Sequence, residues 1–339
     1  MKVVVTGGAG YIGSHTTVEL LQKGYDVVVI DNLSNSSLSV LERIKEITGK
    51  SPSFFQFDLC DEEKVVDFFE SEKNIDAIIH FAAFKAVGES VENPLKYYKN
   101  NLSSLVNILN ATKNYPSLKS FVFSSSCTVY GQPDILPVTE NSPVKPAESP
   151  YGYTKQVGEE ILKNVSLQSN FPIISLRYFN PIGAHQSALI GELPNGIPNN
   201  LVPFITQTAI GKREILSVFG NNYNTPDGSC IRDFIHVVDL AKAHVVSIER
   251  SINNHNKSNY EVFNIGTGVG YTVLQLIKTF IDTTGVYFNY KIVERRPGDV
   301  EKIYAETTLA NTELGWKAEL NLAQMLLSAW NWEKNLGNK

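Results

Sequence analysis

A tyrosine and a lysine four residues apart are the side chains of this sequence best suited to proton transfer. Tyr151 and Lys155 would share one face of a helix, and an apolar run ending in Ser126 precedes them. A free tyrosine has a pKa of about 10, so a phenolate working near neutral pH needs roughly 4 kcal/mol of preferential stabilisation. A buried ammonium and a cationic cofactor ring could supply it, and a serine hydroxyl could relay the proton. Taken alone, the same spacing is also typical of an exposed helical pair.

The N-terminal segment supplies the elements that would hold such a cofactor. Residues 6–13 read TGGAGYIG between two apolar runs, and the second run ends in Asp31. Strand, glycine turn, helix, strand and acid in this order predict a dinucleotide-binding βαβ unit. Gly7 and Gly10 allow a tight turn beside a pyrophosphate, and Gly13 lets the helix lie close to the sheet. A lone glycine triplet would also fit an ordinary loop, but its place between two strands favours the binding unit.

The residues around this turn indicate which dinucleotide is bound. The N–H groups near Tyr11 and Ile12 open the helix and would face the phosphates, where the helix dipole favours an anion. Asp31 could accept hydrogen bonds from a ribose diol, and its charge would repel a 2′-phosphate. We therefore predict NAD rather than NADP as the cofactor.

Strands and helices continue to alternate beyond this unit. We predict strands over 53–57, 75–83 and 119–126, with helices between them. The fold class is therefore α/β: a Rossmann-type doubly wound parallel sheet with a smaller α/β substrate-binding domain. We expect residues 1–179 to form the NAD-binding domain and 180–339 the second domain, with segments around 235–247 returning to the first. Ligands bind beyond the carboxyl ends of such strands, which here are residues 7–13, Asp31, Asp58, 81–85 and 124–126.

Composition excludes several other classes of protein. The 339 residues are 42% hydrophobic and 19% charged, as in an ordinary globular protein, and the net charge of −5 with no basic run argues against nucleic acid as a partner. No run approaches the ~20 apolar residues that cross a bilayer, and a strand beginning at residue 2 leaves no room for a signal peptide. Cys60, Cys127 and Cys230 match no metal spacing and suit a reducing compartment, so we expect a cytoplasmic protein without a metal site.

Two further segments allow two interpretations each. Asp58 follows a predicted strand, where an acid could contact an adenine, but an aspartate in a turn or at a helix cap fits equally well. The segment Gly266–Gly270 resembles a second phosphate-binding loop, although a strand-to-helix turn before a helix over 272–281 is the better interpretation.

Further motifs make the chain resemble the extended short-chain dehydrogenase/reductase superfamily and, within it, the family of 4-epimerases that act on UDP-sugars. The resemblance covers essentially the whole chain. Its motifs, beside TGGAGYIG, the serine strand and Tyr-x-x-x-Lys, are FAAFKAVGES (81–90), RYFNPIGAH (177–185), GIPNNLVPF (196–204), FGNNYNTPDGSCIRDFIHVVDLA (219–241) and RRPGD (295–299).

The resemblance implies a reaction and a set of site residues. The reaction is the interconversion of UDP-galactose and UDP-glucose in the Leloir pathway of galactose metabolism, through transient oxidation at C4′ with tightly bound NAD, by a homodimer. Tyr151 is implied as the base, Lys155 as its support and Ser126 as its hydroxyl partner. The NAD contacts implied are Gly7, Gly10, Tyr11, Ile12, Gly13, Asp31, Asn32, Asn35, Ser36, Asp58, Leu59, Phe81, Ala82, Lys85, Asn100, Ser124, Tyr151, Lys155 and Phe179. The UDP-sugar contacts implied are Lys85, Ser126, Tyr151, Phe179, Asn180, Asn200, Leu201, Ser217, Phe219, Arg232, Arg296, Asp299 and Ile303.

Departures from the family pattern bear on specificity and on the competing functions. Ile303 lies where the family controls the size of the sugar, and an isoleucine is intermediate between the aromatic residue that excludes N-acetylated sugars and the small residue that admits them. A 4,6-dehydratase would carry an Asp-Glu pair after the serine strand, whereas this chain has Cys127 and Thr128. An NAD-sensing regulatory protein typically lacks the tyrosine–lysine pair, which this chain keeps.

Overall fold

The computed structural model describes residues 1–113, 115–296 and 299–337. Pro297 and Gly298 of the RRPGD motif therefore lie outside the described residues. The strands, in chain order, are β1 Lys2–Thr6, β2 Asp26–Ile30, β3 Ser53–Phe55, β4 Ile75–His80, β5 Ser120–Ser126, β6 Ile173–Tyr178, β7 Asn180–Ile182, β8 Leu216–Phe219, β9 Ile231–His236, β10 Tyr260–Ile265, β11 Gly270–Thr272, β12 Tyr290–Val293 and β13 Lys302–Ile303. The α-helices are α1 Tyr11–Gln22, α2 Ser39–Thr48, α3 Glu62–Ser71, α4 Val87–Glu92, α5 Pro94–Thr112, α6 Pro150–Ser166, α7 Leu201–Ala209, α8 Val237–Ile252, α9 Val273–Thr284 and α10 Leu322–Gly337.

A seven-stranded parallel sheet, in the order β10-β6-β5-β4-β1-β2-β3, forms the centre of the molecule. Strand β1, which lies between β4 and β2, is buried on both faces, as a doubly wound sheet requires. Val3 and Val5 belong to one hydrophobic core, while Val4, which points the other way, belongs to a second. The predicted Rossmann-type doubly wound sheet is confirmed.

Chain beyond residue 179 also contributes to this large sheet. Strand β10 pairs with β6 at the sheet edge, and helix α8 packs against α1. The division of the chain into two domains at residue 179 remains a prediction. Although β10 and α8 follow residue 179 in the chain, both pack with the large sheet.

Smaller sheets and three helices build the rest of the molecule. Strand β9 pairs with β7, β11 and β13, and β8 pairs with β12. Helices α7, α9 and α10 enclose a separate core that includes Phe280, Met325 and Trp330. No helix within the described ranges is long and apolar enough to span a membrane.

Two strands end earlier in the structure than predicted. The strand predicted over 53–57 ends at Phe55, and the one predicted over 75–83 ends at His80. Beyond His80, the Phe81 N–H still donates to the Thr6 carbonyl at 3.1 Å, but the Ala82 N–H turns to the Thr6 hydroxyl at 3.4 Å. This turn brings residues 81–83 over the carboxyl end of the sheet, beside the glycine turn.

Candidate active site

The glycine turn lies at the carboxyl end of β1 and has no space for side chains. Gly7 has a φ of +68°, and a Cβ there would lie 2.9 Å from the backbone nitrogen of Ala82. A Cβ at Gly13 would lie 2.2 Å from the Gly7 carbonyl oxygen. Gly10 is the N-terminal cap of α1, whose first turn directs N–H groups outward. This geometry lets the backbone approach a ligand closely and is suited to a pyrophosphate.

Asp31 stands at the end of the neighbouring strand and already has three internal partners. It accepts from the N–H of Ala9 at 3.1 Å, the N–H of Leu33 at 2.9 Å and the hydroxyl of Ser36 at 2.9 Å. An ionised carboxylate has about four acceptor positions. Asp31 therefore orders the loop after β2 and keeps capacity to accept from a ribose hydroxyl.

Asn32 and Asp58 bridge two strand ends at this edge. The Asn32 amide donates to Asp58 at 3.2 Å, and the other Asp58 oxygen accepts from the Cys60 N–H at 2.8 Å. Asp58 thus stabilises a turn, which is one of the two roles that the sequence allows for it. Its contact with adenine remains a prediction.

The serine strand and helix α6 bring the three predicted catalytic residues together. Ser126 ends β5 and caps a short 3₁₀ helix over 127–130, accepting from the Thr128 N–H at 3.2 Å. Helix α6 begins at Pro150, one residue before Tyr151, because the Ser149 hydroxyl caps it by accepting from the Gly152 N–H. The Lys155 ammonium lies 5.9 Å from the centre of the Tyr151 ring. Lys155 is buried and Tyr151 is partly buried, so the pair is part of the site rather than an exposed helical pair.

Burial dominates the ionisation of both groups. It raises the pKa of Tyr151 to about 12, although the Ser126 hydroxyl acts in the opposite direction. Burial also lowers the pKa of Lys155 to about 7, and its ammonium donates to the Ser124 carbonyl at 2.5 Å. Lys155 is not among the groups that shift the pKa of Tyr151 here, so the lowering of that pKa by the ammonium together with the cofactor ring stays a prediction.

Lys85 and Asn200 come from distant parts of the chain and meet on Glu192. One oxygen of Glu192 accepts from the Lys85 ammonium at 2.9 Å and from the Asn200 amide at 2.6 Å. Trp332 of α10 holds this segment by donating to the Glu192 carbonyl at 3.0 Å. No motif in the sequence around Glu192 indicates that this residue contacts Lys85 and Asn200.

A second charged cluster joins residues implied to bind the UDP-sugar. Asp299 lies 2.7 Å from Arg296 and 3.5 Å from Arg232, and the Arg296 guanidinium lies over the Phe219 ring at 5.6 Å. Two guanidinium groups so close together can bind the oxygens of a diphosphate.

Ile303 forms part of an apolar wall beside the predicted catalytic serine. It is 3% exposed and packs in one cluster with Cys127 and Phe179. Strand β13 places it opposite Arg232 on β9. A change of side-chain size at position 303 would therefore alter the space between the predicted catalytic strand and the charged cluster of Arg232, Arg296 and Asp299.

Most of the other predicted site residues contact a residue that was not itself predicted to belong to the site. Hydrogen bonds join Asn35 to Asn195, Asn100 to Asn101, the Leu59 carbonyl to Asn107, Tyr11 to the Gly183 carbonyl, and Ser124 to Tyr178.

The remaining predicted residues are placed by packing or by their position in an element. Phe81 packs against His244, and Ser217 pairs with Lys291 across β8 and β12. Asn180 begins β7, and Leu201 begins α7.

An internal carboxylate occupies the second glycine-rich loop. Asp233 accepts from the N–H of Thr267 at 2.9 Å and of Gly268 at 3.0 Å, and from the Ala305 N–H at 3.2 Å. The N–H groups that would bind a phosphate are therefore engaged. The loop over 266–270 is therefore a turn, as the favoured interpretation of the sequence predicts. The short strand β11 lies between this turn and α9.

The described residues contain no group of three or more His, Cys, Asp or Glu side chains that could hold a metal ion. The side chains of Tyr151, Lys155 and Ser126 bring a phenol, an ammonium and a hydroxyl to the carboxyl end of the sheet. A doubly wound sheet with a glycine turn, a serine-ended strand and a partly buried tyrosine four residues before a buried lysine defines an extended short-chain dehydrogenase/reductase.

Comparison with known proteins narrows this class. A family model described as GDP-mannose 4,6 dehydratase matches residues 4–328. The UDP-glucose 4-epimerase of Bacillus subtilis is 51% identical over 336 residues, which are 99% of this chain and 97% of that protein. That of Drosophila melanogaster is 48% identical over 343 residues, again 99% and 97% of the two chains.

A solved structure agrees with these relatives. The UDP-glucose 4-epimerase of Bifidobacterium longum, in complex with NAD⁺ and UDP, superposes with a TM-score of 0.94 at 47% identity and covers 100% of this chain and 99% of that one. The chain belongs to the UDP-glucose 4-epimerase family, and the predicted resemblance is confirmed.

Proposed function

We propose that this protein interconverts UDP-glucose and UDP-galactose by transient oxidation at C4′ with a tightly held NAD. The observation that carries the proposal is the placement of Tyr151, Lys155 and Ser126 at the edge of the sheet that also holds the glycine turn. The relatives and the solved structure named above support the choice of substrate and cofactor.

The residues at the end of β1 and β2 fit NAD. A Cβ would fill the cradle at Gly7 and Gly13, so the backbone can approach a pyrophosphate closely. The Asp31 carboxylate retains room for one further donor, and its charge disfavours a 2′-phosphate. When bound, NAD would accept a hydride from C4′ and return it to the opposite face of the sugar.

Tyr151 is the base in this mechanism and Ser126 lies in the path of the proton. The phenol must lose a proton whose pKa is about 12 in the chain alone. A base that works near pH 7 needs a pKa lower by about five units, or roughly 7 kcal/mol of phenolate stabilisation. The positive ring of the bound cofactor and the Lys155 ammonium are the groups that would provide it, so cofactor binding and activation of the base are coupled.

The second charged cluster and Glu192 complete the substrate side. Arg232 and Arg296 would hold the diphosphate, and Asp299 would accept from the ribose or the base of uridine. Lys85 and Asn200 must exchange their contact with Glu192 for ligand oxygens. With the nucleotide held there, the 4-keto sugar can turn over inside the pocket, and Ile303 limits the size of its 2-substituent.

A homodimer in the cytoplasm forms part of the proposal. Leu95, Val106 and Tyr153 are 79%, 38% and 50% exposed on the neighbouring helices α5 and α6. Such an apolar stripe suits a two-fold helical interface. All three cysteines are free thiols, as in a reducing compartment.

The dimer is tested by analytical ultracentrifugation. The parent chain should sediment as a dimer, Val106→Glu should weaken that dimer, and the control Val269→Glu should leave it intact. A parent chain that sediments as a monomer contradicts the proposal.

The experiment that tests the function is an assay of the purified protein with UDP-galactose and no added NAD. Release of UDP-glucose supports the proposal. A 4-keto-6-deoxy product would instead show a dehydratase, and binding without turnover would show a sensor. A strict need for added NAD with ordinary saturation would favour a simple dehydrogenase.

A further inference from the structure

Glu159 is a buried carboxylate that the mechanism above does not use. It lies one helical turn beyond Lys155 on α6, so that Tyr151, Lys155 and Glu159 follow one another at intervals of four. Side chains at this spacing share one face of a helix. The Glu159 side chain is only 10% exposed, so its charge is placed in the interior beside the predicted catalytic pair.

Hydrogen bonds from Arg177 and Ser125 fix this carboxylate to the central sheet. Arg177 donates from Nε to Oε1 at 2.9 Å and from Nη2 to Oε2 at 2.6 Å, and the Ser125 hydroxyl donates at 2.5 Å. Ser125 and Arg177 are cross-strand partners on β5 and β6. Glu159 therefore ties α6 to both strands at once, directly beside Ser124 and Ser126.

Close packing of the helix on the sheet supports the same arrangement. A Cβ at Gly158 would lie 2.9 Å from the Phe123 ring, so α6 approaches β5 as closely as a glycine permits. The Lys155 ammonium lies 4.8 Å from the centre of that ring. A shift of α6 would thus move the ammonium and the Tyr151 phenol together.

The groups that face Lys155 leave Glu159 as its electrostatic partner. They are the Phe123 ring and the Ser124 carbonyl of β5, His80 of β4, and Tyr151 and Glu159 of α6 itself. His80 is neutral, because burial lowers its pKa to about 3. Burial lowers the pKa of Lys155, and the negative charge of Glu159 acts against that effect.

We propose that Glu159 is a positioning residue for the reaction: fixed by Arg177 and Ser125, it holds Lys155 protonated and α6 in register with the serine strand. The proposal rests on the proposed function, since it assigns Lys155 to the support of Tyr151. The local signal for it is the extension of Tyr-x-x-x-Lys by a further x-x-x-Glu.

The test is the pH profile of kcat for two variants that break the same ion pair. Glu159→Gln removes the negative charge, so the alkaline limb, where Lys155 loses its proton, should move to lower pH by about half to one unit. Arg177→Gln leaves the carboxylate charged, so the limb should stay in place or move to higher pH. The control Ser125→Ala removes a hydrogen bond and no charge, and its limb should not move.

A purely structural role makes a different prediction. Both ion-pair variants would then lower kcat at every pH and leave the limb in place or move it in the same direction, and that result would overturn the proposal. If Glu159→Gln does not fold, the double variant Glu159→Gln/Arg177→Met removes both charges without leaving one unpaired. Its limb should also move to lower pH, and an unmoved limb would overturn the proposal.

A parent chain that does not epimerise would contradict the proposed function and not this inference. The affinity for NAD across the same pH range then supplies the readout, because Lys155 is one of the residues implied to contact NAD. A loss of affinity that sets in at lower pH in Glu159→Gln than in Ser125→Ala supports the proposal, and identical profiles overturn it.

Discussion

Gly13→Ala tests whether the glycine turn is built for a dinucleotide. A methyl group at this position would lie 2.2 Å from the Gly7 carbonyl oxygen and 2.8 Å from the Gly8 Cα, both of them backbone atoms. The Gly7 carbonyl also accepts from the Gly10 N–H at 3.0 Å, so the turn cannot yield without weakening this bond. The substitution therefore separates α1 from the turn that it closes.

The size of the effect follows from the overlap. Ordinary contact begins near 3.4 Å, so helix or turn must move by roughly 1 Å. Overpacking of this kind typically costs about 1–3 kcal/mol. Because the displaced atoms are those that approach the pyrophosphate, we expect the affinity for NAD to fall about tenfold to a hundredfold.

The assay is the nucleotide content of purified protein, read by absorbance after denaturation, together with the thermal unfolding temperature. The parent chain should carry close to one NAD per chain, and Gly13→Ala should carry far less. Gly88→Ala is the matched control, because a Cβ at that helical position meets no atom within 4 Å. Full occupancy in Gly13→Ala with an unchanged unfolding temperature would refute the reasoning.

Three further substitutions test single residues. Tyr151→Phe should lower kcat by about a hundredfold or more while folding and NAD binding persist, with the half-exposed Tyr153→Phe as control; near-normal turnover would remove Tyr151 as the base. Asp31→Ala should weaken NAD retention and reduce the preference over NADP, and an unchanged ratio of the two affinities would mean that the carboxylate serves only the loop. Ile303→Ser should raise activity on UDP-N-acetylglucosamine about tenfold to a hundredfold and change UDP-glucose little. Comparable kcat/KM for both sugars in the parent chain would show that Ile303 is not a gate.

Features that depend on neighbours in the chain could be predicted from the sequence. The alternation of Val3, Val4 and Val5 between two cores follows from a strand buried on both faces. The glycine turn and the tyrosine–lysine pair are likewise local, since the spacing of their residues fixes the turn and places both side chains on one face of a helix. The doubly wound fold followed from these local patterns.

Contacts between distant residues could not be predicted in this way. Glu192 engages Lys85, which lies 107 positions away, and Asp233 fills a loop 34 positions further on. Neither pairing leaves a pattern in the sequence around it. The raised pKa of Tyr151 could not be predicted either, because desolvation depends on how the folded chain surrounds the phenol.

The most direct test of the account follows the hydrogen at C4′. UDP-galactose carrying deuterium at C4′ is converted by the purified protein in ordinary water, and the UDP-glucose formed is analysed for the label. A hydride that is lent to a bound cofactor and returned keeps the deuterium at C4′ of the product. Loss of the label to solvent, at a rate matching turnover, would contradict transient oxidation with tightly held NAD.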